Sequence, residues 1–256
     1  MTKEVKWLLD EKYNGKKTES FYKDVKRLEA GEPVDYVIGF TEFLGCKIDL
    51  SKKPLIPRPE TEYWVCEEIK RISRVFGERQ KRDFFALDMF AGSGCIGIAI
   101  LRHVKNVKVI FADKSQDCVK QIKINLKINH VKKGFIVRQS DIFSNIKEKA
   151  DYIFANPPYI PTTRRSRVGK SVLKFEPHKA LFAGKNGLFF INKFLKDAKK
   201  YLNAGGIIFM EFDGLAGSSH APSQKKEIEK LIKKYKYSKW EFKKDQYNRW
   251  RWVEIQ

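Results

Sequence analysis

The sequence predicts an α/β fold, a doubly wound Rossmann-like sheet of seven mostly parallel strands, and three observations carry that expectation. From Phe84 onward, short apolar runs alternate with stretches of helical periodicity, which is the rhythm of successive βαβ units. A glycine-rich turn from Asp88 to Gly97 closes the first apolar run and opens the first helix behind it. With 256 residues and 42% hydrophobic content, the chain is long enough to bury one large core.

Before that rhythm begins, the chain reads as two smaller pieces. Val5, Leu8 and Leu9, then Phe21, Val25 and Leu28, fall at helical spacing with Asn14-Gly15 between them, giving a short N-terminal helical unit over residues 1–34. The run YVIGFTEFLGCKIDL, Tyr36 to Leu50, is rich in aromatic and β-branched residues punctuated by Gly39 and Gly45, and predicts a β-hairpin linker within 35–58. In LIPRPETE, Leu55 to Glu62, prolines brace a loop whose Pro59 suits a first helical turn, and Val65, Ile69, Ile72 and Phe76 then share one face. By pattern alone, Arg58 and Glu60 at that corner form a solvated ion pair at a helix cap.

The remaining domain, 59–256, supplies the sheet. FFALD, VKVIFAD, GFIVRQSD, DYIFA and GGIIFMEF read as strands, separated by helical stretches in IGIAILRHV, VKQIKINLKIN and GLFFINKFLKDAKKYL. After the helix KKEIEKLIKKY, the strands SKWEFKKD and RWRWVEIQ are joined by a short turn and should pair antiparallel at the sheet edge.

Composition limits the function classes. Cys46, Cys66, Cys95 and Cys118 lack CxxC spacing, and His103, His130, His178 and His220 do not cluster with them, so neither a metal site nor a disulfide framework is expected. The N-terminus has no long apolar h-region and no stretch approaches a membrane span, so a soluble, cytoplasmic protein is expected. Of the net charge of +21, residues 1–80 contribute +1 (16 basic, 15 acidic) and residues 81–256 contribute +20 (36 basic, 16 acidic). Such a surface favours polyanionic partners, although solvated lysine-rich helix faces explain it equally well.

The chemistry concentrates at ADYIFANPPYI, Ala150 to Ile160. A buried strand here ends abruptly in Asn156-Pro157-Pro158-Tyr159. The tip offers an Asn side-chain oxygen and a backbone carbonyl as acceptors, beside prolines that fix φ and contribute no N–H. Two fixed acceptors suit a planar NH2 group such as a side-chain amide, an adenine N6 or a guanine N2, with Tyr159 covering one face. The plainer reading is a turn in which Asn156 caps a helix and Tyr159 packs in the core. Within the glycine turn, GSGCIG satisfies G-x-G-x-x-G, and Asp113 at the end of the next strand stands where an acid accepts ribose hydroxyls. Asp141 could receive an adenine amino group while Ile142 packs on the ring; the alternatives are a helix cap for Asp113 and a surface turn for Asp141. Such a turn serves NAD, FAD and S-adenosylmethionine alike. The nitrogen-holding tip, which provides neither a hydride path nor a base, favours S-adenosylmethionine and methyl transfer.

At these residues the sequence resembles the class I S-adenosylmethionine-dependent methyltransferases, and within them the HemK/PrmC family of glutamine N5-methyltransferases that modify peptide chain release factors. The resemblance runs from about Glu32 to the C-terminus through GEPVDYVIGFTEFLG, LIPRPETE, LDMFAGSGCIGIA, FAD, SDIF, NPPYIP, FEPHKALFAGKNGL, GGIIFMEF and KDQYNRWR. It implies that Phe90, Ala91, Gly92, Ser93 and Gly94 cradle the methionine part of the cofactor, Asp113 the ribose, and Asp141 with Ile142 the adenine. Asn156, also adjoining the cofactor, and the Pro157 carbonyl would hold the glutamine amide, with Pro158 and Tyr159 completing the tip. Arg58, Glu60 and Thr61 would lie on a loop beside the cofactor, and Glu176-Pro177 would close the pocket. The implied partner is a class I release factor bearing a Gly-Gly-Gln loop, and the product S-adenosylhomocysteine. Four features depart from the family pattern: Phe90 where a glycine is usual, Phe212-Asp213 after the strand GGIIFME, a short N-terminal unit, and the basic segment TTRRSRVGKSVLK, Thr162 to Lys174. Arg164, Arg165, Arg167, Lys170 and Lys174 of that segment either contact an anionic partner, protein or nucleic acid, or form a disordered solvated loop. Methylation of adenine N6 in DNA or RNA, glutamine methylation of a ribosomal protein, and a noncatalytic binding module are the competing functions.

Overall fold

A computed structural model describes residues 1–76, 84–214 and 223–256. The side chain of Phe76 and all of His220 lie outside the described residues.

The chain begins with α1 (Lys3–Tyr13) and α2 (Glu19–Glu29), whose N-caps Thr2 and Thr18 accept from Val5 N at 3.3 Å and Phe21 N at 3.2 Å. Asn14, left-handed at φ 48°, and Gly15 break the two helices where the sequence places the break. Tyr36 to Ile38, expected in the hairpin, are instead helical: α3 (Val34–Ile38) starts behind Pro33 and ends at Gly39 with φ 101°. Val37 and Ile38 bury with Leu8, Leu9 and Phe21 in a small core of their own, and that burial overrides the β preference of the run. The hairpin is therefore confined to β1 (Phe40–Phe43) and β2 (Cys46–Asp49), paired antiparallel.

Next come α4 (Pro59–Phe76), β3 (Phe84–Met89), α5 (Cys95–His103), β4 (Val107–Asp113), α6 (Gln116–Ile128), β5 (Phe135–Gln139) and β6 (Ala150–Ala155). The segment after β6 holds a 3₁₀ turn, Thr162–Arg167, and α7 (Lys170–Phe175). It is thus helical, with most of its residues exposed, and α7 docks on the N-terminal unit through Ser171 Oγ to Gly31 O at 2.7 Å and Lys174 Nζ to Ala30 O at 3.2 Å. The chain closes with α8 (Phe189–Ala198), β7 (Leu202–Glu211), α9 (Gln224–Lys234), β8 (Trp240–Lys244) and β9 (Trp250–Ile255).

The seven-stranded sheet has the order β5-β4-β3-β6-β7-β9-β8. β3 to β7 run parallel, and β9 is antiparallel to both neighbours, which puts the closing hairpin at the edge. Alternate strand residues feed two cores. Phe111, Phe154 and Phe209 pack beneath Trp64, Ile98 and Ile122 of α4, α5 and α6, whereas Leu87, Ile153 and Ile208 pack against Ile191 and Ile228 of α8 and α9. Gly97 lets α5 lie close on β4, since a Cβ there would fall 2.2 Å from the Phe111 ring.

The hairpin is held by amides of α6. Lys47, Asp49 and Lys52 donate their backbone N–H groups to Asn129 Oδ1 (3.1 Å), Asn125 Oδ1 (2.8 Å) and Gln121 Oε1 (2.8 Å). Asn125 Nδ2 also reaches Ser93 O at 2.9 Å, tying the hairpin to the glycine turn. Because β4 and β6 flank β3 on opposite sides, the chain changes direction across the sheet at the β3–β6 junction. A cleft forms outside the carboxyl ends of such strands. The glycine turn and Asn156 both leave the sheet there, one residue beyond the paired Met89 and Ala155.

No described helix is long and apolar enough to cross a membrane, and the described residues contain no group of three or more His, Cys, Asp or Glu side chains that could hold a metal.

Candidate active site

The glycine turn runs through three left-handed residues, Phe90 at φ 60°, Gly92 at 54° and Gly94 at 80°. Phe90, which lacks glycine's freedom, strains the backbone by about 1–2 kcal/mol. Its ring packs edge-on against Phe190 and Phe194, with centroids 6.3 and 6.0 Å away. The turn is pinned to β4: Ala91 N donates to Ala112 O at 3.1 Å, and Gly92 N to Asp113 Oδ2 at 2.8 Å. Asp113 Oδ1 accepts from Ser115 N at 2.8 Å, and burial raises its carboxyl pKa against these donors. At Gly92 a Cβ would meet only Phe90 O at 3.9 Å, so that side of the turn is open.

Beneath the turn, Asp88 is fully buried. Its Oδ2 accepts from Gly97 N at 2.9 Å while Oδ1 has no partner among the described residues, and burial pushes its pKa up to about 7. Relative to an unfolded carboxyl near about 4, the folded state binds the proton more tightly, so Asp88 weakens folding as pH rises from about 4 to about 7, by roughly 4 kcal/mol in all. Asp88→Asn, which stays neutral, should therefore melt higher than the parent at pH 8 and close to it at pH 5. Parallel pH slopes in thermal melts of the two proteins would disprove the assignment.

At the neighbouring strand end, Pro157 and Pro158 are buried, Asn156 and Tyr159 half-buried. A cavity of about 300 Å³ is lined by Arg58, Asn156, Pro157, Tyr159, Arg164 and Arg167, among others. Behind it lies Glu211, 1% exposed, at the end of β7. Its Oε2 accepts from Thr61 Oγ1 and Trp64 Nε1, each at 2.7 Å, and its Oε1 from the Tyr159 hydroxyl at 2.9 Å. Burial raises the Glu211 pKa in spite of these donors; burial and the adjacent Glu211 carboxylate push the Tyr159 phenol well above its ordinary value. Asn156 Nδ2 donates to Thr61 Oγ1 at 3.4 Å. Gln224 fixes the tip from the far side, donating to Tyr159 O at 3.0 Å and accepting from Asp213 N at 2.7 Å.

The structure thus brings Arg58, Thr61, Asn156, Pro157, Tyr159 and Glu176 around one cavity region. Arg58 does not make the solvated corner pair expected with Glu60. Its Nη2 lies 2.6 Å from Glu176 Oε1, while Glu176 Oε2 accepts from Ile56 N at 3.2 Å. Pro177 follows half-buried, and Glu60 stays half-buried in the first turn of α4. Phe90 to Gly94 and Asp113 occupy the adjoining strand ends. Asp141 is exposed and paired with Lys114 at 2.7 Å; Ile142 is buried at φ 55° with its carbonyl accepting from Ser140 Oγ at 2.6 Å. Glu211, Trp64 and Gln224 were not singled out from the sequence. The signal for Glu211 was a carboxylate at the end of the apolar run IIFME.

This sheet order, with a glycine turn and a polar strand tip meeting at the switch point, defines a methyltransferase of class I architecture. Residues 70–178 match the Methyltransferase small domain family model. The fold is similar to that of a Thermus thermophilus 16S rRNA methyltransferase solved with AdoMet and guanosine, at TM-score 0.55 and 17% identity over 85% of this chain and 49% of that one. Among curated proteins, the release factor glutamine methyltransferase of Streptococcus pneumoniae is 33% identical over 79% of this chain and 70% of its own length. That of Flavobacterium psychrophilum is 30% identical over 90% of this chain and 77% of its own. The chain belongs to the release factor glutamine methyltransferase family.

Proposed function

We propose that this protein transfers a methyl group from S-adenosylmethionine to the side-chain amide nitrogen of the glutamine in the Gly-Gly-Gln motif of a class I peptide chain release factor, giving S-adenosylhomocysteine. The observation that carries the reading is the Asn156-Pro157-Pro158-Tyr159 tip, which lines a cavity one strand away from the open glycine turn.

The residues fit the cofactor: the backbone of Phe90 to Gly94 is open at Gly92, and Asp113 is held at the adjoining strand end. Phe90, Ala91, Gly92, Ser93 and Gly94 would hold its methionine part, Asp113 the ribose, and Asp141 with Ile142 the adenine. When bound it supplies an electrophilic methyl group on sulfur. An amide nitrogen is a poor nucleophile because its lone pair is delocalised, so the protein contributes chiefly by positioning. Asn156 Oδ1 and the Pro157 carbonyl would accept the two amide hydrogens, aim the nitrogen and favour the positive charge that develops on it, and one of those hydrogens would leave to solvent as a proton once the nitrogen is methylated. Glu211 is not the base in this reading, because it lies 1% exposed behind the tip and does not line the cavity.

In this reading residues 1–34 and 35–58 present the protein substrate to the methyltransferase domain, 59–256. Of the basic segment, Arg164 is paired with Asp213 at 2.8 Å, Lys174 with a backbone carbonyl, and Arg165 lies over the Phe182 ring at 5.3 Å, which leaves the exposed Arg167 and Lys170 for an acidic release-factor surface or nucleic acid. The cytoplasm, where release factors act, is the proposed location. Methyl transfer from labelled S-adenosylmethionine tests the function with three substrates: a class I release factor, its Gln→Ala variant in Gly-Gly-Gln, and duplex DNA. Label on the first alone is expected. Label on DNA would instead assign the tip to adenine N6.

A further inference from the structure

We infer that Trp64, Glu211 and Thr61 form a proton-ordering relay that fixes which end of the Asn156 side chain faces the substrate, a reading that rests on the acceptor role proposed for Asn156. A primary amide has nearly the same shape with its oxygen and nitrogen exchanged, yet only the oxygen accepts. If Asn156 were turned over, its NH2 would confront the NH2 of the bound amide and the two would repel. Something must choose the orientation, and among the described residues the hydrogen-bond partner of the Asn156 side chain is Thr61.

The choice can be traced back to a group with no freedom. An indole N–H only donates, so Trp64 Nε1, 2.7 Å from Glu211 Oε2, makes that oxygen an acceptor. Thr61 Oγ1 lies 2.7 Å from the same oxygen and has a single proton, which it gives there. Toward Asn156, Thr61 then has only lone pairs, so the atom facing it at 3.4 Å is Nδ2 and Oδ1 is left for the cavity. Protonating Glu211 does not undo the order. The proton would sit on Oε1 against the Tyr159 oxygen, and Oε2 would keep both of its donors. Thr61 and Glu211 are positioning residues: neither needs to touch the substrate amide.

Thr61→Val removes the hydroxyl at nearly constant shape and Thr61→Ser restores it. For Thr61→Val we expect kcat/KM for the release factor to fall by about two- to fivefold, because an amide with no preferred orientation still presents its oxygen about half of the time, with the dissociation constant of S-adenosylmethionine unchanged within about twofold; Thr61→Ser should recover most of the loss. The second readout is the pair of Asn156 side-chain amide protons in a 15N-correlated NMR spectrum, assigned by their loss in Asn156→Asp. They should move upfield in Thr61→Val and stay in place in Thr61→Ser. Wild-type kcat/KM in Thr61→Val, or amide signals unmoved by it, would overturn the relay. If the wild-type enzyme left release factors unmethylated, the substrate reading would fail while the amide signals still decided the orientation of Asn156.

Discussion

Asn156→Ala should lower kcat on the release factor by about 10²–10³-fold, the effect of removing one preorganised hydrogen-bonding partner from a transition state. The loss should be confined to turnover. Asn156 is half-buried just beyond β6, and among the described residues its side chain is tied by one long hydrogen bond to Thr61, so removing it leaves the Glu211 network closed. The glycine turn and Asp113 belong to other strand ends and keep their own contacts. Cofactor affinity by calorimetry should therefore stay within about threefold of the parent, the scale of one weak hydrogen bond. Single-turnover methyl transfer gives the other half of the test: a variant retaining a tenth or more of the parent rate would show that Asn156 does not hold the reacting nitrogen.

Gly187→Ala should damage both stability and activity. Gly187 has φ 74°, and a Cβ there would stand 2.1 Å from Tyr159 O and 2.8 Å from Gln224 Nε2. Backbone strain of about 1–2 kcal/mol and displacement of packed neighbours worth about 1–3 kcal/mol act together. At about 2–4 °C per kcal/mol for a domain of this size, the melting temperature should drop by roughly 5–15 °C. Since the clash falls on the carbonyl of Tyr159, kcat should fall further than the residual folded fraction accounts for. Gly15→Ala is the control, because Gly15 has φ 76° with no atom of the described residues within 4 Å of a Cβ and so shows the backbone term alone. Equal melting temperatures for the two variants would mean that the tip yields without resistance and is not rigid.

The strands and helices of 59–256 were legible because buried parallel strands are short apolar runs and their helices carry an unmistakable period. The tip was legible because Asn-Pro-Pro-Tyr ends such a run abruptly. Tyr36 to Ile38 misled because aromatic and β-branched residues say only that the chain buries a face; α1 and α2 determine how. Thr162 to Lys174 carries no apolar period, and it is held by contacts with residues 30, 31 and 213, far away in the chain. The Glu211 network was out of reach for the same reason. Thr61 and Glu211 are 150 residues apart, and a carboxylate at the end of a strand reveals its partners only when the strand finds its place in the sheet. Phe90 shows the reverse: the sequence marks it as a departure from glycine, and the backbone keeps the glycine conformation regardless.

The amides of α6 have a consequence for how the protein behaves in a crowded solution. A two-stranded ribbon exposes rows of free N–H and C=O groups, an invitation for another chain to add a strand. Gln121, Asn125 and Asn129 recur every fourth residue, about 6 Å along the helix, close to the roughly 6.8 Å between alternate residues of a strand. Asn129, the cap of α6, and Asn125 meet the alternate strand residues Lys47 and Asp49, Gln121 meets Lys52 just beyond the strand, and Asn129 Nδ2 returns a hydrogen bond to Lys47 O at 2.7 Å, so the helix end takes the place of a third strand. A helix cannot be extended by strand addition. The ribbon is thereby sealed along β2, and partners bound elsewhere on the protein meet a surface that does not recruit further copies at this edge.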